Sequence, residues 1–213
     1  MNHSSCYMCD SPATGIEHAP ARCFFPKGFR KNLITVPSCS VHNNATSKDD
    51  EYVRGIIVSS AGNNDTATSH WRNAVRKTFL HSPKLFFKTF EHQRLNSFFH
   101  DRKRIDETMI KIAYALYFIQ YGKRWAYYPT PYYKQFYDDD GKSDIETRLP
   151  NYLDIPNYEH YEGANQNVFK YYFLDGKVNG NANSILKMVF YEGFEVFILP
   201  HTEKVNLPYD TKP

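Results

Sequence analysis

The sequence predicts an α+β protein built from a short stapled N-terminal unit, a helical middle and a small antiparallel sheet at the C-terminus. Three observations carry this expectation. All four cysteines fall within the first 39 of 213 residues. Basic charge gathers in the middle, where residues 71–124 hold a surplus of eight, while residues 125–213 hold a surplus of five acidic charges. The last 50 residues contain runs of Phe, Tyr, Val and Ile of strand length, bounded by turn residues. With 41% hydrophobic and 23% charged residues, collagen-like, low-complexity and disordered classes are set aside. No run approaches the roughly 18 apolar residues of a membrane span. Met1–Asp10 has neither the basic flank nor the apolar stretch of a secretory signal, so the expected compartment is the cytoplasm.

Along the chain, two knuckle-like segments, CYMC at 6–9 and CSVH at 39–42, flank a Pro-containing loop and a strand-like run from Leu33 to Val36. Thr46 and Ser47 then precede KDDEYVRGIIV, where a capping hydroxyl, first-turn acids and apolar Tyr52, Val53, Ile56 and Ile57 mark a helix. The cluster AGNNDT at 61–66 breaks that pattern and divides the chain into stretches 1–60, 61–124 and 125–213. Apolar residues at helical spacing predict helices in HWRNAVRKTFL (70–80) and KLFFKTFEHQRL (84–95). A longer helix is expected from about Ile105 to Tyr121, with Ile105, Met109, Ile112, Ala113 and Leu116 on its apolar face and Gly122 as its stop. YYPTPYY (127–133) and DDDG (138–141) read as turn or loop. NVFKYYFL, ILKMVFYE and FEVFILP read as strands, the last two joined by a hairpin around Glu192 and Gly193.

Disulfides are disfavoured in the cytoplasm, so crowded cysteines point to a metal. Cys6-x2-Cys9 and Cys39-x2-His42 are two ligand pairs, each at the spacing by which a tight turn offers two donors to one tetrahedral ion. Zinc takes Cys and His in this way, and four protein ligands leave no open position, so the site would be structural. Cys23 is the spare thiol, expected to pack, with His42 and Cys23 both open as the fourth ligand.

Between the pairs lies Glu17-His18-Ala19-Pro20, and Asn43 and Asn44 follow the second pair. In CYMC, EHAP, NLITVPSCSVHNN and SKDDEY the chain resembles the HNH endonucleases of the ββα-metal class, in the zinc-knuckle form of phage endonuclease VII. It is also similar to a bacterial HNH group that shares the EH-x-P, FFPK, NLITVPSC and SKDDEY runs. The resemblance covers about residues 6 to 54. It implies a ββα-metal fold for residues 1–60 and hydrolysis or nicking of DNA phosphodiester bonds. It implies His18 as general base, a role suited to an imidazole's pKa. It further implies Glu17 and Asn43 as ligands of a catalytic divalent cation, Mg²⁺ or Mn²⁺, and Asn32 as the brace of the loop carrying the His. Glu17 stands where the family's commonest acid is Asp, one methylene shorter. Asn44 rivals Asn43, and Ser47 and Asp50 could also face the site, although Asp50 reads more plainly as a first-turn acid.

Arg22, Lys27, Arg30 and Lys31 lie on the loop that would border nucleic acid, and each phosphate contact would steepen the salt dependence of binding. Arg72, Arg76 and Lys77, with Lys84, Lys88 and Arg102–Arg104, would add a backbone-tracking surface. The aromatics from Trp125 to Tyr137 suit base stacking or, more ordinarily, a core. The expected partner is DNA, together with a regulatory protein that restrains the nuclease; a homodimer would place two sites on opposing strands. Two rival readings keep the zinc knuckle: a non-catalytic module binding nucleic acid or a partner, and an RNA-cleaving toxin with the same site.

Overall fold

In the computed structural model, β1 (Gly15–His18) and β2 (Thr35–Ser38) form an antiparallel ladder with Gly15 opposite Ser38 and His18 opposite Thr35. The structure describes residues 5–44, 47–81, 93–94, 97–98, 100–126, 128–138, 140–148, 161–178 and 181–200. The second strand lies two residues beyond the expected Leu33–Val36 run, because Thr14 N–H donates to the Ser38 carbonyl and draws that end into the pairing. Two single 3-10 turns, Arg22–Phe24 and Lys27–Phe29, fill the long hairpin loop. Helices α1 (Ser40–Asn44) and α2 (Ser47–Ser59) follow, completing a β–β–α order. Every residue of α2 from Tyr52 to Val58 is buried, as its apolar positions require.

The segment after α2 is less of a break than its composition suggests. Asn64 caps α3 (Asp65–His70), its side chain accepting from Ala67 N–H, so Asp65 and Thr66 are already helical. A π turn (Trp71–Val75) leads into α4 (Arg76–His81). The helix expected over 84–95 lies mostly outside the described residues, and its Gln93–Arg94 pair forms β3, laddered with β4 (Ser97–Phe98). Backbone pairing of Gln93 with Phe98 and of Arg94 with Ser97 overrides helical spacing there.

The longest helix, α5 (Arg102–Tyr121), begins three residues earlier than expected. Asp101 caps it by accepting from Arg104 N–H, and Gly122, at φ 66°, closes it with an N–H to Phe118 O. Ile105, Met109, Ile112, Ala113 and Leu116 are buried as expected, and so are Ile110, Tyr114, Ala115 and Phe118 on the other sides. A helix apolar nearly all round belongs at the centre, and α5 packs on α2, β2 and β5.

The C-terminal sheet has four antiparallel strands in the order β5-β8-β7-β6, with β6 (Phe169–Val178), β7 (Asn181–Phe190) and β8 (Phe194–Pro200) where expected. Its edge, β5 (Pro129–Tyr133), falls in the stretch read as turn or loop. An edge strand pairs on one side only, so Pro129 and Pro131 need not donate to a second neighbour. A short helix, α6 (Asp144–Arg148), packs beside it. One face of the sheet joins a core that runs from Cys6 to Ile198 through all three sequence stretches. The other gathers Tyr172, Leu174, Ile185, Phe197 and Leu199 into a smaller cluster. Among the described residues no helix is long and apolar enough to cross a membrane.

Candidate metal centre and hairpin site

The knuckle at the N-terminus is a turn closed by Cys6 N–H on Ser11 O and by Met8 N–H on the Cys6 sulfur at 3.5 Å. The second pair sits where β2 ends and α1 begins, locked by Asn43 N–H on Cys39 O. The four donor atoms, Cys6 Sγ, Cys9 Sγ, Cys39 Sγ and His42 Nδ1, lie within 4.8 Å of one another. The sulfurs of Cys9 and Cys39 are 3.9 Å apart, and His42 Nδ1 stands 3.4, 3.6 and 3.3 Å from the sulfurs of Cys6, Cys9 and Cys39. A tetrahedral zinc with bonds of about 2.3 Å to sulfur and about 2.0–2.1 Å to nitrogen would set these edges at about 3.8 and 3.6 Å. The group could therefore hold a metal such as zinc. Burial pushes the Cys6 thiol up, but hydrogen bonds from His42 and from backbone N–H groups outweigh it and bring the thiol down to about 6. Cys23 lies outside the group, so His42 is its fourth member; burial, with the charge of Asp50, pushes the Cys23 thiol up to about 12.

Side chains alternate across β1. Gly15 and Glu17 face inward with Val36 and Ser38, while Ile16, 67% exposed, and half-buried His18 face outward with Thr35 and Pro37. Asn43 lies on the inward side at the Gly15 end: its Nδ2 would stand 3.1 Å from a Cβ at Gly15 and is 3.5 Å from Ile16 O. Asn32 is exposed and left-handed at φ 53°, a conformation Asn tolerates. The neighbouring Lys31 carbonyl accepts from Asn165 Nδ2, so the C-terminal region steadies this loop. The side chain of Asn44 lies outside those described, and Ser47 is exposed.

The Glu17 carboxylate meets an interior cluster that the sequence reading missed. Its Oε1 is 3.0 Å from Lys111 Nζ, and its Oε2 accepts from the Tyr7 hydroxyl at 2.9 Å and from Ser38 Oγ at 3.5 Å. The same ammonium lies 3.0 Å from both carboxylate oxygens of Asp50. Glu17, Lys111 and Asp50 are 6%, 5% and 6% exposed, so three charges share a nearly dry space. Burial pushes the Asp50 carboxyl up against the pull of Lys111. Burial pulls Lys111 down, but the two carboxylates prevail and its ammonium is held above the usual lysine range. A signal was present: Lys111 is the lone charged residue between Glu107 and Lys123, within an otherwise apolar helix, where a charge must find partners. With both oxygens engaged from inside, Glu17 as placed does not fit the role of ligand to an exchangeable cation.

The surface residues divide. Arg22, Lys27, Lys31, Arg72, Arg76 and Lys77 are exposed. Arg30 is half-buried and donates to Phe25 O. Lys84 and Lys88 lie outside the described residues. Arg102 and Arg104 correct the expectation of a free basic face. Arg102 pairs with Asp106 and Asp144 over the Tyr133 ring, and Arg104 pairs with Asp49 over Tyr52. Trp125 and Tyr133 are buried, so those aromatics are core, while Tyr137 is exposed. No family model, curated protein or solved structure matches the chain.

Proposed function

We propose that this protein hydrolyses or nicks nucleic-acid phosphodiester bonds, DNA first among them, in the manner of an HNH endonuclease. The observation that supports this most is a Cys3His group stapling a β-hairpin and the helix after it, with His18 displayed on the hairpin's outer face. His18 would accept the proton of an attacking water, since a neutral imidazole suits that task near pH 7. Arg22, Lys27 and Lys31, exposed on the hairpin loop, would draw the phosphate backbone toward it. Zinc in the Cys3His group would hold the hairpin against α1 and take no part in the reaction, because four protein donors leave no open position. A divalent cation such as Mg²⁺ or Mn²⁺ would stabilise charge on the phosphate and leaving oxygen in such chemistry. Its tie to Glu17 and Asn43 rests on the resemblance alone.

The test is conversion of supercoiled plasmid to nicked and linear forms with Mg²⁺ or Mn²⁺, by wild type and by His18→Ala of equal zinc content. Loss of a general base should slow cleavage by about 10²–10⁴-fold. Undiminished cleavage by His18→Ala removes His18 from the role, and degradation of single-stranded RNA ahead of duplex DNA transfers the substrate to RNA. One observation favours a second reading. Glu17 is engaged by Lys111 inside the protein, as suits a zinc-knuckle module that binds nucleic acid or a partner without cutting.

A further inference from the structure

Three carboxylate oxygens, one from Glu17 and two from Asp50, each lie 3.0 Å from a single point, and the point is the Lys111 ammonium. The residues come from three elements: β1, α2 and the central α5. Converging anionic oxygens in a dry interior demand a positive charge, and the sources are a bound cation or a basic side chain. We infer that Lys111 is the resident cation of this carboxylate pair. Through Glu17 it positions the strand that presents His18, and it reserves Glu17 from exchangeable divalent ions. The reference to His18 rests on the proposed hydrolase; the occupancy of the carboxylate pair does not.

Geometry sets the consequence. The ammonium is fixed by three charged contacts, while the Tyr7 hydroxyl and Ser38 hold the remaining Glu17 oxygen from the opposite side. A divalent ion entering at Glu17 would have to displace a buried ammonium already held by both carboxylates. Lys111 is thus a positioning residue, acting on β1 by way of Glu17, and the outer face of the hairpin is left to His18.

The experiment compares zinc-loaded wild type with Glu17→Gln, Lys111→Met and the double variant Glu17→Gln/Lys111→Met. Mn²⁺ binding is followed by the loss of the free-ion EPR signal, and stability by thermal unfolding. Lys111→Met alone strands two buried carboxylates and should lower Tm by about 10 °C. The double variant, with one carboxylate removed, should recover part of that loss. Mn²⁺ should raise the Tm of Lys111→Met by more than it raises that of wild type, because the vacated oxygens then accept a further ion. Glu17→Gln should bind Mn²⁺ within about twofold of wild type, whereas tenfold weakening would overturn the inference. Were the single variants not to fold, reductive methylation of wild type read by mass spectrometry decides the matter. Lys111 should stay unmodified with and without Mn²⁺, and labelling that appears on adding Mn²⁺ means the ion displaces the ammonium. Absence of plasmid cleavage by wild type would count against the hydrolase alone, since none of these readouts requires turnover.

Discussion

The N-terminal hairpin and the C-terminal sheet are both antiparallel, yet they are stabilised by different physics. The hairpin has two strands of four residues, too little surface to bury an apolar core of its own. Its inner face holds a Cys3His group at one end and a charged trio in the middle, with Val36 as its apolar contribution. The sheet has four strands, two of them ten residues long, and fills its inner face with rings. Phe190 lies 4.8 Å from Phe169 and 5.8 Å from Phe24, ring centre to ring centre, and is fully buried with Phe194. With a metal in the Cys3His group the small unit would depend on ligand bonds and paired charge, whereas the larger one depends on area removed from water. The seam between them adds a polar contact to the Phe24–Phe190 ring contact: Tyr191 OH donates to Phe24 O and meets His70 Nδ1 at 2.7 Å.

The largest effect should come from the staple. Removing the metal with a chelator, or Cys39→Ser, withdraws a binding energy of about 10 kcal/mol or more in comparable zinc sites. Amide exchange in residues 15–44 should rise sharply while β7 and β8 keep their protection; equal opening of both would break the contrast between the two regions. Next in size, Phe190→Ala should cost about 3–5 kcal/mol in denaturant unfolding. It should leave zinc content per folded molecule unchanged, and zinc loss in the folded state would show that the sheet supports the staple directly.

The smallest effect sharpens the seam. Burial pulls His70 down to about 4, and the charges of Arg54 and Arg30 push the same way. Between pH 6.5 and about 4 the unfolded chain therefore binds a proton that the folded protein does not. Stability from this group is complete above pH 6.5 and falls as pH drops, by on the order of 3 kcal/mol, before levelling off. Chemical denaturation across that window should show the slope in wild type and a flatter one in His70→Gln. The donor in the 2.7 Å contact is then His70 Nδ1, because the Tyr191 hydrogen is committed to Phe24 O.

Much of the architecture is legible in the residues themselves, for local reasons. Ligand spacing places both knuckles, first-turn acids and apolar spacing mark α2, Gly122 ends α5, and strand-length aromatic runs become β6, β7 and β8. What the sequence hides is set by pairing over long separations. Pro129–Tyr133 is a strand only because β8 offers it an edge. Tyr191 and Glu192 hold φ of 49° and 63°, unfavourable for side-chain-bearing residues. Contacts from Asn64, His70 and Phe24 over-determine Tyr191 and sustain that turn. Gly193 is required because a Cβ there would stand 2.4 Å from the backbone of Gly62.

At the candidate site the division is the same. The sequence alone pointed to the two ligand pairs, since two-residue spacers bring each pair together by local chain geometry, and the structure settled the fourth place on His42 rather than Cys23. Once β1 is a strand, alternation places Glu17 and His18 on opposite sides, and packing decides that Glu17, rather than the side shared by Ile16 and His18, turns inward. Only the tertiary structure decided what Glu17 meets there. Lys111 is 94 positions away on a helix whose apolar composition places it at the centre of the fold. A buried charge takes the partner that packing brings within reach, and no local pattern encodes which one that is.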